Sequence, residues 1–282
     1  MTITFFWILP AAAVCYLVAA FCAAAGLAFT AQDRRKIMQN ASPRLALLGF
    51  ALHSMALLRA MLSAAGWDNI YFLHLAAWLF VLVYLTMRRR MQADFLNMAC
   101  VLPAGLLILA GLFMQYKGLT QLQGAPYFNG PLFIVHVAAM AAGLSCMLIG
   151  CVAGLAFLYL ERKIKRKNSL LMLIDDFPPL AGLDRVGRLA VLCGFPLFSL
   201  GLAAGFLWAG KAWGEAVSWD IKEIVSGLVW LVYAALLYIR LKGSCGRRPA
   251  QLAVWIFGLS MFSLLVVNVF LPSHHSFMPW QG

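Results

Sequence analysis

Eight apolar runs divide this chain, and each is about as long as the roughly 20 residues a helix needs to cross the hydrocarbon core of a bilayer. They lie near 4–29, 45–65, 70–87, 95–114, 132–160, 189–210, 224–241 and 252–271, and the segments between them carry the charges, prolines and glycines. Lipid offers no water to satisfy backbone N–H and C=O groups, so such runs must bond internally as helices. The expected fold class is therefore all-α, a polytopic membrane helix bundle of about eight transmembrane helices. Composition agrees, since 63% hydrophobic against 11% charged residues leaves too little polar surface to cover a soluble core.

The charges fix an expected direction. Eighteen of the 22 lysines and arginines fall in alternate loops, at Arg34–Arg44, Arg88–Arg90, Arg162–Arg188 and Arg240–Arg248, which is how cytoplasmic loops are marked. The opposite loops hold Lys117, Lys211 and Lys222, so both termini are expected on the outer, periplasmic side. A net charge of +12 distributed this way argues against nucleic acid as a partner. Nothing basic precedes the first apolar run, which reads as a retained helix and not a cleaved signal. Six of the seven cysteines lie inside apolar runs and none forms a C-x-x-C pair, a pattern of packing residues. No Walker or dinucleotide motif is present, so the chain reads as one domain, 1–282, with an outer Trp-rich loop at 208–223 and a cytoplasmic loop at 161–188.

Sorting residues by depth gathers a distinctive set at the outer face. His136 lies about 6 Å into the fifth run at ~1.5 Å per residue, and His274 and His275 follow the eighth. Between them the outer loop contains Trp208, Lys211, Trp213, Glu215, Trp219, Asp220, Lys222 and Glu223. Two imidazoles beside indole faces suit a flat, iron-bearing macrocycle, with Lys211 or Lys222 answering its carboxylates. The same residues also read as an interfacial aromatic belt with packing histidines. The three carboxylates are expected to hold loop shape by ion pairs with the lysines.

The residues Trp208-Ala209, Ala212-Trp213-Gly214, Trp219-Asp220 and Lys222-Glu223 resemble the "WWD" signature of the haem-handling cytochrome c assembly proteins, the CcsA, ResC and CcmC group. The likeness continues through Trp230–Tyr233, Arg240 and Gly246–Arg248 to His275-Ser276-Phe277, and upstream includes Gly130-Pro131, His136-Val137, Pro178–Leu180 and Leu183-Asp184. It implies that His136 and His275 are axial ligands of haem b, with Trp208, Trp213, Trp219 and Asp220 as the platform. It also implies a multi-pass protein of the bacterial cytoplasmic membrane that presents haem at the outer face to apocytochrome c or a second assembly subunit. Synthases of this kind work with that second membrane subunit, so catalysis by this chain alone is not expected. Val217, Ile221 and Tyr238 stand where the signature has a tryptophan, a proline and, two residues before the arginine, a membrane histidine. These departures make the chain most similar to the HemX or YpjD-type members, which leaves a haem-binding regulator of tetrapyrrole synthesis as the alternative function. A small-solute transporter without haem is the third.

Two polar residues inside the second run stand out. Arg59 is costly at a bilayer centre, by ~2.5–3.5 kcal/mol on insertion scales, and is expected to face protein or water, to snorkel, or to meet a propionate or Asp68. His53, near the midplane, reads either as a transient haem ligand or as an interhelical hydrogen bond. His74, near the outer end of the third run, reads as packing, with a ligand role as the lesser option.

Overall fold

The computed structural model describes residues 3–28, 31–62, 69–91, 96–117, 130–165, 179–212 and 214–264. Its helices are α1 (Ile3–Ala28), α2 (Gln32–Leu62), α3 (Asn69–Met91), α4 (Leu96–Tyr116), α5 (Pro131–Lys165), α6 (Leu180–Ala212), α7 (Ile221–Leu241) and α8 (Arg247–Phe262). Six of them are long and apolar enough to cross a membrane; α3 contributes the shorter apolar stretch Leu73–Thr86. The last expected run, 252–271, continues past the described end of α8. This is a polytopic helical membrane bundle.

Several helices outrun the apolar windows that announce them. α2 begins at Gln32, not near 45, and its first turns carry Asp33, Arg34, Arg35 and Lys36. α6 begins at Leu180, so residues 180–188 of the expected cytoplasmic loop are helix. Hydropathy reports the length in lipid, whereas a backbone helix continues for as long as its hydrogen bonds do.

The helices sort into two compact units, Met1–Asn129 and Gly130–Gly282. In the first, α1 packs on α2 and α4, and α3 on α4. Lipid gives helices little hydrophobic reason to associate, so close packing and satisfied polar groups must hold them. Polar groups here do find partners: the Ser42 hydroxyl donates to the Ala19 carbonyl at 2.6 Å and accepts from the Asn97 amide, and Trp78 donates to Ser54 Oγ at 2.8 Å.

The second unit has a readable register. A Cβ placed on Gly143 would touch Phe198, one on Gly201 would meet Met140, and one on Gly205 would meet His136, so α5 and α6 run antiparallel. Gly154 faces Ala250, Gly150 faces Ala253, and Ser260 donates to the Met147 sulfur, so α8 is antiparallel to α5. Tyr233 reaches the Ala190 carbonyl, and Arg240 reaches Asp184, so α7 is antiparallel to α6. The starts of α5 and α7 and the end of α6 therefore share one end of the unit, and α8 runs toward it, its described residues stopping near Met147 of α5.

The opposite end is closed by a buried ion pair and a tight turn. Arg240 Nη1 lies 2.6 Å from Asp184 Oδ1, and that carboxylate also accepts the Gly246 N–H at 3.2 Å. α7 stops in a Schellman motif: Ser244 N–H bonds the Ile239 carbonyl and Gly243 N–H the Arg240 carbonyl, with Gly243 at φ 77°.

Candidate functional site

The end of the unit where α5 and α7 start holds the residues singled out in the sequence. His136 lies less than two turns into α5, and its Nδ1 is 2.7 Å from the Gly201 carbonyl of α6. A carbonyl can only accept, so Nδ1 carries the proton and Nε2 keeps its lone pair, the tautomer a metal-binding imidazole needs. The ring lies directly over Gly205, where a Cβ would be 2.6 Å from Nδ1. Only glycine at 205 leaves the imidazole this place.

Trp208, one turn beyond Gly205, is buried and packs on Phe133 of α5 with ring centroids 5.1 Å apart. It pins the helix that carries His136 and does not offer an open indole face. Lys211 in the last turn of α6 is exposed. Trp213 lies outside the described residues. Gly214 then takes φ 82°, which a residue with a Cβ resists.

The start of α7 is built around two carboxylates. Asp220 is the N-cap and its Oδ1 accepts the Glu223 N–H at 2.8 Å. Glu223 reaches back, accepting the Ser218 N–H at 2.9 Å, the Trp219 N–H at 2.8 Å and the Ser218 hydroxyl at 3.0 Å. The loop shape expected from ion pairs thus comes instead from carboxylates bonded to backbone amides, one N–H for Asp220 and two for Glu223. Trp219 is 77% exposed and sits at φ 56°. Asp220 Oδ2 is buried without a hydrogen-bond partner among the described residues, and Lys222 follows in the first turn of α7. α5, α6 and α7 therefore bring His136, Trp208, Asp220, Lys222 and Trp219 to one end. His274 and His275 lie outside the described residues.

In the first unit, His53 and His74 are fully buried neighbours, with ring centroids 6.1 Å apart and planes at 88°. The Tyr16 hydroxyl is 3.5 Å from His53 Nδ1, while His53 Nε2 and His74 Nδ1 have no hydrogen-bond partner among the described residues. Reckoning depth from separate apolar windows had placed these two histidines at different levels. Arg59 is in the last turn of α2 with its side chain on the surface of the unit, where a long cation can reach the interface. Tyr238, at the position where the resemblance calls for a histidine, is exposed with the Lys242 ammonium 4.5 Å over its ring.

Sequence reasoning missed Gly201 and Gly205, the partners of His136, although small residues four apart in an apolar run mark close helix contact. It also missed the capping role of Asp220, which the spacing Asp220-x-x-Glu223 signals.

Residues 67–275 match the cytochrome C assembly protein family. The chain is 28% identical to the cytochrome c biogenesis protein CcsA of Mesostigma viride over 256 residues, covering 80% of this chain and 84% of that protein. It is 29% identical to CcsA of Synechococcus elongatus, covering 83% and 87%, and 29% identical to CcsA of Prochlorococcus marinus strain MIT 9301, covering 75% and 74%. With the His136 imidazole, the tryptophan-bearing loop before α7 and helices α3 to α8 all falling inside the matched span, this chain belongs to the cytochrome c assembly protein family.

Proposed function

We propose that this protein handles haem for cytochrome c maturation, binding haem b through His136 and His275 and presenting it at the outer face of the bacterial cytoplasmic membrane. The observation that carries this reading is the His136 ring, held by the Gly201 carbonyl over Gly205 in the tautomer that leaves the lone pair on Nε2. The antiparallel register supports it, since α8 runs toward the His136 end of the unit and His275 follows α8 in sequence. The names of the CcsA relatives supply the context of cytochrome c biogenesis.

In this reading haem is cargo and brings its own iron chemistry. His136 and His275 hold the iron from its two faces. Trp213 and Trp219 cover the macrocycle, Lys222 and Asp220 set the charge beside it, and Trp208 keeps α5 and α6 in register. The acceptor is apocytochrome c or a second membrane subunit of the assembly system. His53 serves as a transient ligand only if α2 and α3 part, because its ring is fully enclosed beside His74. Tyr238 favours the second reading, a HemX-like regulator of tetrapyrrole synthesis, since it removes one intramembrane imidazole.

Protein purified from haem-replete cells is expected to show a Soret band that disappears in a His136→Ala, His275→Ala double variant. A band that survives in that variant refutes the ligand assignment. Deleting the gene separates the two readings: loss of mature c-type cytochromes with normal haem precursors supports delivery, and altered precursors support regulation.

A further inference from the structure

We infer that Glu223 is the positioning residue for Trp219: its carboxylate holds the backbone of that tryptophan in the left-handed region and so sets where the exposed indole stands. A bulky residue rarely adopts φ 56°. Such a conformation persists where surrounding groups over-determine it. Packing does not do so here, because Trp219 is 77% exposed. Among the described residues the restraint is Glu223, whose Oε2 takes the N–H groups of both Ser218 and Trp219, at 2.9 and 2.8 Å, while Oε1 takes the Ser218 hydroxyl.

The pattern departs from an ordinary helix cap in an informative way. In a capping box the acidic side chain at the third helical position returns to the N–H of the cap residue itself, here Asp220. Glu223 instead spends its carboxylate on the two residues before the cap, whose N–H groups are not among the helix's own unsatisfied donors. Asp220 meanwhile caps α7 through the Glu223 N–H, which fixes the root of the glutamate. The two carboxylates divide the work: Asp220 starts the helix and Glu223 aims the tryptophan. The significance of that aim for haem rests on the function proposed above; the aim itself does not.

The test uses full-length protein labelled with fluorotryptophan, read by fluorine NMR in detergent. Among the nine tryptophans, the resonance lost in Trp219→Phe is that of Trp219. Glu223→Ala is expected to move that resonance towards the free-chain position and sharpen it while the other resonances hold; Glu223→Gln, with one acceptor oxygen in place of two, gives a partial displacement. An unmoved Trp219 resonance in folded Glu223→Ala overturns the inference, and if that variant does not fold, an unmoved resonance in Glu223→Gln does so. A second readout separates positioning from plain capping. The drop in melting temperature caused by Glu223→Ala should shrink in a Trp219→Gly background, where φ 56° costs nothing; an equal drop in both backgrounds assigns Glu223 to capping alone. Haem retention, with His136 intact, should weaken about tenfold in Glu223→Ala, the scale of losing charge-assisted hydrogen bonds. Undiminished retention beside a displaced Trp219 overturns the link to haem. Absence of a Soret band in the unaltered protein refutes the proposed function while leaving the fluorine test standing.

Discussion

Replacing Gly205 by alanine should unseat His136 without touching it. The new methyl carbon would lie 2.6 Å from His136 Nδ1 and 2.8 Å from Cε1, about 0.8 Å short of ordinary contact, so the ring has to move off the Gly201 carbonyl. Overpacking of this kind costs about 1–3 kcal/mol and the lost hydrogen bond about 0.5–1.5 kcal/mol, against a gain of about 1 kcal/mol from the helix propensity of alanine. The net expectation is about 1–3 kcal/mol of destabilisation. Gly227 in α7 provides the internal control, because a Cβ there meets nothing within 4 Å and the same substitution should be neutral or stabilising. Thermal unfolding of the two variants in detergent, followed by tryptophan fluorescence, measures the difference. The Soret absorbance per protein tests the link to function, since Gly205→Ala should lose haem nearly as fully as His136→Ala. If Gly205→Ala matches Gly227→Ala in melting temperature and keeps its haem, the ring is not wedged between α5 and α6 and the tautomer argument fails.

Three more expectations are independent of that one. Asp184→Ala should destabilise the second unit by about 3–5 kcal/mol, because it strands the Arg240 guanidinium in a buried position; Asp184→Leu combined with Arg240→Met should recover much of the loss in melting temperature. His53→Phe combined with Tyr16→Phe should leave the melting temperature unchanged or raise it by the equivalent of about 1 kcal/mol, since it removes both ends of the Tyr16–His53 contact together with a buried ring nitrogen that has no partner among the described residues; a pronounced fall would show that this nitrogen is satisfied by a group such as water. Cys245, exposed in the α7–α8 turn, should react with a membrane-impermeant thiol reagent in inside-out vesicles and not in intact cells; the reverse would invert the topology and the proposed outer site with it.

The architecture was legible in the sequence because two independent signals, apolar length and basic loops, are both set by the bilayer. Helix ends were less so: the window starting near 45 missed a full three turns of α2, since Arg34, Arg35 and Lys36 lie on a helix that extends beyond the apolar window. His136 was found from its depth, yet what makes it a candidate ligand, the Gly201 carbonyl and the space over Gly205, depends on which face of α6 meets α5. Trp208 shows the same limit. Its residue type suggested a platform, while its angular position on α6 buries it against Phe133. Glu223 was read as one charge among several, though its spacing from Asp220 already carried the local hydrogen-bond pattern. Long-range pairs such as His53 with His74 have no local signature and emerge only when two helices are set side by side.

The clasp between Asp184 and Arg240 also ties together distant stretches of chain. The two residues are 56 positions apart, and the same carboxylate oxygen takes the Gly246 N–H at the start of α8. One atom of α6 thus answers both the last turn of α7 and the first of α8, so a change at residue 184 is felt by three helices at once.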